Sequence, residues 1–284
     1  MTDLLPDNAP AFSIHFGPFL IGITSSSFTL IERLKRFFSG YESNIAPDFV
    51  LVIESTQKLP PPVLQWDHPW IPLVVKDNSF VIGPQLIQGR LDMRKRLIKI
   101  TVHDDFFKQP TLNIFQNFLY RMYHTLCLNQ GIRSHFIHGC GVQKEIDGYL
   151  FIGPHQSGKT TIGELSNAPV LHDDQMLITI DERGISMDSP PLPAKHRYHP
   201  EKPVPLRRIF VIFQNSHIST KIMEPLPALK NLYSEVVLPL TLDSLDQKEA
   251  KVRKSQFCFD ILKLLPVREL HFDEHGKFWQ EINS

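Results

Sequence analysis

Tyr149-Leu150-Phe151-Ile152-Gly153-Pro154-His155-Gln156-Ser157-Gly158-Lys159-Thr160-Thr161 is the stretch on which the reading of this chain turns. Residues 149–152 are a short apolar run of the kind that forms a buried strand. The run stops at Gly153, and helix-compatible residues follow from Lys159. Between them lies G-x-x-x-x-G-K-T, with Pro154, His155, Gln156 and Ser157 in the free positions. This is the spacing of a phosphate-binding loop. Glycine at 153 and 158 lets the backbone take positive φ and come close to an anion. Loop N–H groups then face phosphate oxygens, and the start of the next helix adds a partial positive charge. Lys159 is expected to reach the β- and γ-phosphates of ATP, and the Thr160 hydroxyl to ligate Mg²⁺. With Thr161, residues 153–161 form the candidate nucleotide site.

Composition narrows the partners. The chain has 284 residues, with Lys+Arg and Asp+Glu equal at 30 each, so its net charge is zero. That argues against nucleic acid as a partner, which calls for a basic surface. Hydrophobic content of 42% is that of an ordinary globular protein. No run approaches the ~18 uncharged apolar residues of a membrane helix, and the first residues show neither a basic nor an apolar signal region. Neither a membrane partner nor export is expected. Cys127, Cys140 and Cys258 are far apart and odd in number, which suggests no disulfide framework, no zinc site and a reducing, cytoplasmic setting. A homo-oligomer is left open.

Around the loop the expected class is α/β with a mixed sheet. Residues 1–108 read as a β-rich region with one helix, and residues 109–284 as the nucleotide-binding domain. In the first part, 12–24 suggests one or two strands. Thr29-x-x-Glu32 is a capping-box signature for a helix bearing Leu30, Ile31, Leu34, Phe37 and Phe38, with Gly40 as its stop. Residues 49–53 form a strand, and 73–75, 79–82, 85–91 and 96–102 an antiparallel meander. Trp66 and Trp70 sit in a Pro-rich loop, where packing is the expected role. From Leu112 to Cys127 apolar residues recur at helical spacing.

Residues 134–142 then read as one strand, and Asp147-Gly148 as the hairpin turn that pairs it with the strand entering the loop. After the loop, Ser166, Asn167 and Pro169 cut the helix short. Val170-Leu171 returns to the sheet, beside the strand that enters the loop, and leads into Asp173-Asp174. Two adjacent carboxylates at the C-terminal end of an apolar strand, downstream of a phosphate loop, stand where Mg²⁺ ligands and a base are needed. Asp173 is the expected metal ligand beside Thr160, and Asp174 the expected base, with the two roles exchangeable. Residues 176–180 and 185–187 form a hairpin, 225–240 a helix and connection, 245–265 a helix, and 267–272 and 278–282 close the fold.

This arrangement, His138-Gly139, a strand into Gly-x-x-x-x-Gly-Lys-Thr, and an apolar strand ending in Asp173-Asp174, resembles the catalytic domain of HPr kinase/phosphorylase. It is closer still to the HPr-kinase-related proteins encoded beside peptide-modification genes. The same core is similar to ATP-dependent phosphoenolpyruvate carboxykinases. The resemblance covers roughly residues 112–215 and the end of the chain. It implies a P-loop kinase on the carboxykinase-like fold, with His138 at the phosphate end of the site. Two departures stand out. Lys159 and Asp173 are 14 positions apart, about one helical turn closer than in HPr kinases. The family's Gly- and Arg-containing segment after the acidic pair is replaced by a Pro-rich stretch, 190–205, with Lys195, His196, Arg197 and His199. HPr is therefore not the expected acceptor, and phosphorylase activity is not expected.

The expected function is transfer of the ATP γ-phosphoryl group to a hydroxyl of a peptide, protein or small molecule, dependent on Mg²⁺. Lys159 and the loop amides would neutralise phosphate charge, with Asp173, Asp174 and His138 as the catalytic set. Lys195 and Arg197 are candidates to close over the phosphates, and Arg207 or Arg208 to sense them. The other readings are an ATP-binding regulatory protein of a peptide-modification pathway that transfers nothing, and a carboxykinase-like small-molecule enzyme.

Overall fold

The computed structural model describes residues 10–60, 73–76, 79–83, 85–108, 112–243, 246–273, 275 and 277–283. The chain divides into two compact units, Met1–Thr125 with Leu240–Leu245, and Leu126–Pro239 with Asp246–Ser284. The division falls later than the expected 108/109 boundary, because the helix after it gives most of its length to the first unit. Both units are mixed α/β. Trp66 and Trp70 lie outside the described residues.

In the first unit, β1 (Phe12–Phe16) and β2 (Phe19–Thr24) form a hairpin, followed by α1 (Phe28–Phe37), β3 (Glu42–Ser43) and β4 (Phe49–Thr56). Then come β5 (Leu73–Lys76), β6 (Ser79–Ile82), β7 (Ile87–Asp92), β8 (Leu97–His103) and α2 (Leu112–Gln130). The strands make one sheet in the order β3-β1-β2-β4-β8-β7-β6-β5. β5 to β8 are the expected antiparallel meander, while β4 runs parallel to β2 and β8. The α2 stripe is fully buried at Phe115, Phe118, Leu119, Met122 and Tyr123. Tyr123 stacks on Phe16 at 4.9 Å, and Phe118 lies 6.1 Å from Phe80. The α1 cap differs from expectation. Ser27, not Thr29, caps the helix, its Oγ accepting the Leu30 N–H at 3.3 Å.

The second unit begins with β9 (Arg133–His138), β10 (Cys140–Lys144) and β11 (Asp147–Ile152), then α3 (Lys159–Leu165) and β12 (Val170–His172). It continues with β13 (Gln175–Asp181), β14 (Gly184–Asp188), β15 (Val204–Gln214), β16 (Ser219–Ile222), α4 (Pro225–Glu235), α5 (Gln247–Leu264), β17 (Val267–Phe272) and α6 (Phe278–Asn283). The expected single strand over 134–142 is two strands. β9 pairs with β13, and β10 with β11 and β12. The β10–β11 turn is Glu145-Ile146, with Glu145 at φ 57°, so Asp147 and Gly148 lie within the ladder, opposite Lys144 and Gln143.

β15 organises this sheet. One edge of it runs parallel to β11. The other pairs with β14 at Val204 and Pro205 and with β17 from Ile209 to Gln214. Side chains alternate between the two faces of a strand, and here each face has its own core. Leu150, Ile152, Ile209 and Val211 pack with β13, β14, α4 and α5. Tyr149, Phe151, Phe210 and Ile212 pack with Ile162 of α3 and with Phe278 and Ile282 of α6. Truncating one of the inner rings, such as Phe151 stacked on Phe210 at 5.6 Å, would cost about 3–5 kcal/mol. The strand that enters the loop is therefore held on both faces and both edges.

Candidate functional site

The loop occupies the C-terminal end of β11, and its backbone explains its glycines. Gly158 has φ +97°, and a side chain there would put a Cβ 2.7 Å from Gln214 Nε2 and 2.8 Å from Phe272. At Gly153 a Cβ would come within 2.9 Å of the Ser157 Oγ. Gln156 takes the left-handed region as well, at φ 65°. Lys159 folds back over the loop, its ammonium donating to the Gly153 carbonyl at 2.6 Å and to the Pro154 carbonyl at 3.0 Å. That holds the lysine at the loop while keeping two flexible hydrogen bonds that a phosphate could replace. The Ser157 Oγ is buried with no hydrogen-bond partner among the described residues.

Beside the loop lies a hollow of about 550 Å³. The loop and α3 line it with His155, Gln156, Gly158, Lys159, Thr160 and Thr161. Asp173 and Asp174 form a second wall, residues 193–195 a third, and Gln214 at the end of β15 a fourth. Gly153, Pro154 and Ser157 do not line it. Strand placement differs from expectation in one respect. β12, which leads into the acidic pair, is not the neighbour of β11, because β10 lies between them. The pair still reaches the hollow.

Asp173 is buried and Asp174 exposed. Asp173 is held by the segment that follows β14. Its N–H donates to the His196 carbonyl at 3.2 Å, and its carboxylate accepts the His196 N–H at 3.3 Å. The Tyr198 N–H donates to the Leu171 carbonyl at 2.9 Å, and Arg197 bridges His172. Residues 196–198 thus extend the edge of β12. Residues 190–203 of the Pro-rich segment form no helix or strand apart from the bridge at Arg197, and Val204 and Pro205 already belong to β15.

The basic residues of this segment are engaged. Lys195 pairs with Glu164 of α3 at 2.5 Å, and His196 Nε2 lies 3.3 Å from the same carboxylate. That contact holds the Glu164 carboxyl below its usual range, first through the hydrogen bonds from Lys195 and His196. His199 faces Asp188 at 3.4 Å, and Arg197 donates to the Leu192 carbonyl. Of the four, Lys195 lines the hollow. Arg207 and Arg208 do not. They lie in β15 near the level of Gly148 and Tyr149, some six residues from Gln214, or about 20 Å of strand. Arg208 instead donates to the Ile282 carbonyl.

His138 ends β9 opposite Gln175, whose Nε2 lies 2.5 Å from the His138 Nδ1. It does not line the hollow, although the next N–H, that of Gly139, donates to the Asp174 carbonyl at 3.0 Å. The residue is exposed, yet protein packed around the ring desolvates it and lowers its pKa, an effect opposed by Asp174 and Glu235 and reinforced by Lys159. Those charges place His138 within electrostatic reach of both Asp174 and Lys159.

Sequence reasoning missed Gln214, Glu164 and His172. The signal for Gln214 was available, since it ends a strand parallel to the one feeding the loop, and such C-terminal ends are where ligands bind. His172 is fully buried, and burial lowers its pKa to about 4. Its Nδ1 accepts the Gln175 N–H at 2.9 Å and the Asp174 N–H at 3.2 Å.

Oxygen donors suit a hard cation such as Mg²⁺, and Thr160, Asp173 and Asp174 line the same hollow. Among the described residues no cluster of three or more His, Cys, Asp or Glu forms a metal site, so further ligands would come from bound phosphate and water. Among the described residues, too, no helix is long and apolar enough to cross a membrane. The chain matches no family model and no curated protein.

Proposed function

We propose that the second unit is an HPr-kinase-like P-loop core that binds ATP with Mg²⁺ and transfers the γ-phosphoryl group to a hydroxyl. The observation that carries this reading is the single hollow in which Gly158, Lys159, Thr160 and Thr161 face Asp173 and Asp174. Phosphoryl transfer asks a protein mainly for positioning and charge neutralisation, and this set supplies both. Lys159, already at the loop, exchanges its carbonyl partners for phosphate oxygens. Thr160 and Asp173 would hold Mg²⁺, which when bound would supply positive charge beside the phosphates. Asp174, the exposed member of the pair, takes the proton from the acceptor hydroxyl. The acceptor oxygen bonds to the γ-phosphorus as the bond to the β-phosphate oxygen breaks and ADP leaves. Asp173, with both its amide and its carboxylate bound to His196, is the more rigid of the two and suits the metal role.

The acceptor proposed is a hydroxyl on a peptide or small molecule, not HPr. The wall that faces an acceptor is Pro193, Ala194 and Lys195, a proline-fixed rim rather than a glycine-rich lid. The test is calorimetry with ATP–Mg²⁺, followed by phosphotransfer from labelled ATP across a panel of peptides and hydroxy amino acids with HPr as comparison. Labelled peptide or amino acid product supports the reading. ATP binding without any transfer would leave a nucleotide-binding regulator, and transfer to HPr at about 1–100 s⁻¹ would reverse the acceptor assignment.

A further inference from the structure

The turn that carries the acidic pair is tied together by one side chain to which the mechanism above gives no task. His172 is the last residue of β12 and has no exposed surface. Its Nδ1 accepts two backbone N–H groups, from Asp174 and Gln175. Its Nε2 lies 3.3 Å from the Leu192 carbonyl. A ring nitrogen that accepts two amides carries no proton, so the Nε2 bears it and donates to Leu192. One imidazole therefore bonds to the backbone on both sides of the hollow's rim, the acidic turn and the segment that presents Pro193, Ala194 and Lys195.

We infer that His172 is a positioning residue, which fixes the turn at Asp174 and fastens it to the segment beginning at Leu192, so that the two form one wall of the hollow. The neighbouring bonds agree with this role. Asp173 is tied to His196 of the same segment through both its amide and its carboxylate, and the Ser189 hydroxyl donates to the Leu171 carbonyl at 2.7 Å. Without His172, Asp173 would stay fastened, but the amides of Asp174 and Gln175 would lose their acceptor. Asp174, the exposed member, would keep the bond from the Gly139 N–H to its carbonyl but lose the tie at its own amide, and so become the less fixed of the two. The kinetic part of this inference rests on the kinase reading, and the structural part does not.

Two variants separate positioning from mere filling of the core. His172→Leu keeps an apolar side chain of similar bulk and removes the acceptor. His172→Asn offers a carbonyl oxygen, which in asparagine commonly accepts from backbone amides two residues on, and gives up the Leu192 bond. Amide hydrogen exchange in the full chain without ligand is the first readout. In His172→Leu the Asp174 and Gln175 amides should exchange at least about tenfold faster while β11 and β15 keep their protection, and His172→Asn should restore slow exchange. The second readout separates binding from turnover with ATP–Mg²⁺ as the probe. His172→Leu should lower turnover by about 10–100-fold with nucleotide affinity little changed, and His172→Asn should rescue most of that loss. Unchanged exchange in His172→Leu, or equal losses in both variants, would overturn the inference. Should the wild-type chain bind no ATP, the kinase reading alone falls, and the exchange data still decide the role of His172.

Discussion

His135 sets up a measurable acid sensitivity in the second unit. It lies on β9 with its ring 4.2 Å from that of Phe257, and burial, with the charges of Arg253 and Lys254 acting the same way, lowers its pKa from 6.5 to about 3. In the unfolded chain the same side chain protonates near 6.5. Between those values the unfolded state binds the proton and the folded state does not, so stability is full above pH 6.5 and falls as pH drops toward 3. At ~1.36 kcal/mol per pH unit the whole interval is worth about 5 kcal/mol, and by pH 5 about 2 kcal/mol has been lost. That is a large share of the ~5–15 kcal/mol that holds a domain folded. His135→Leu removes the titration and suits the apolar contact with Phe257. The assay is urea unfolding at pH 7 and pH 5, read by the fluorescence of Trp279 in a background where Trp66 and Trp70 are Phe. Trp279 packs on Tyr149, Phe151 and Phe278, so it reports the right unit. The stability lost between the two pH values should be smaller by about 2 kcal/mol in the variant, at unchanged urea dependence. His172, buried and lowered to about 4, keeps its own share of the loss in both proteins. An equal loss with and without His135 would refute the reasoning.

Other substitutions test the site and the fold. Lys159→Ala should abolish most ATP binding in calorimetry, whereas Asp174→Asn should bind ATP normally and transfer about 10²–10⁴-fold more slowly; unchanged transfer would move the base role to Asp173 or His138. Gly158→Ala forces a side chain into a backbone at φ +97° and against Gln214 and Phe272, so denaturant unfolding should show a loss of about 1–3 kcal/mol, with weaker nucleotide binding. Ser27→Ala should destabilise the first unit by about 1 kcal/mol, while Thr29→Val should leave the capping bond untouched; the reverse ranking would restore the capping box.

Much of the architecture could be read from local pattern, because the periods were clean. Leu112 to Cys127 repeat on one helical face, buried from Phe115 onward, and the runs from 73 to 102 alternate and pair as a meander. The loop was legible because its glycines mark backbone demands that few other residues meet. What escaped depends on tertiary pairing. Residues 133–144 are continuous in their apolar pattern, yet the chain changes partners at Gly139, and nothing local announces that. Arg207 and Arg208 precede the strand expected over 209–213, but β15 begins at Val204, five residues before Ile209, so both fall within it, toward the end away from the loop. β16, with Ser219, Thr220 and Lys221, is a polar edge strand made by its pairing with β17, not by its composition. Ser27 outcompeted Thr29 because helix α1 starts two residues sooner than the capping-box spacing implied. The acidic pair was found from its neighbours in sequence, but its fixation by His172 and His196 was not, since buried backbone bonds of this kind leave no periodic trace.

The return of the chain to the first unit at Leu240–Leu245 bears on how the protein is made. Arg121 donates to the Thr241 carbonyl, and the Leu242 N–H donates to the Thr125 hydroxyl at 2.8 Å. These bonds close a unit whose other residues end at Thr125. A ribosome adding ~5–20 residues per second needs on the order of 10 s to travel from one to the other, and exit from the tunnel adds to that. For this interval the first unit waits without its last segment, while strands β9 to β16 of the second unit are made behind it. A gene cut anywhere between Thr125 and Leu240 would leave the first unit permanently in that waiting state.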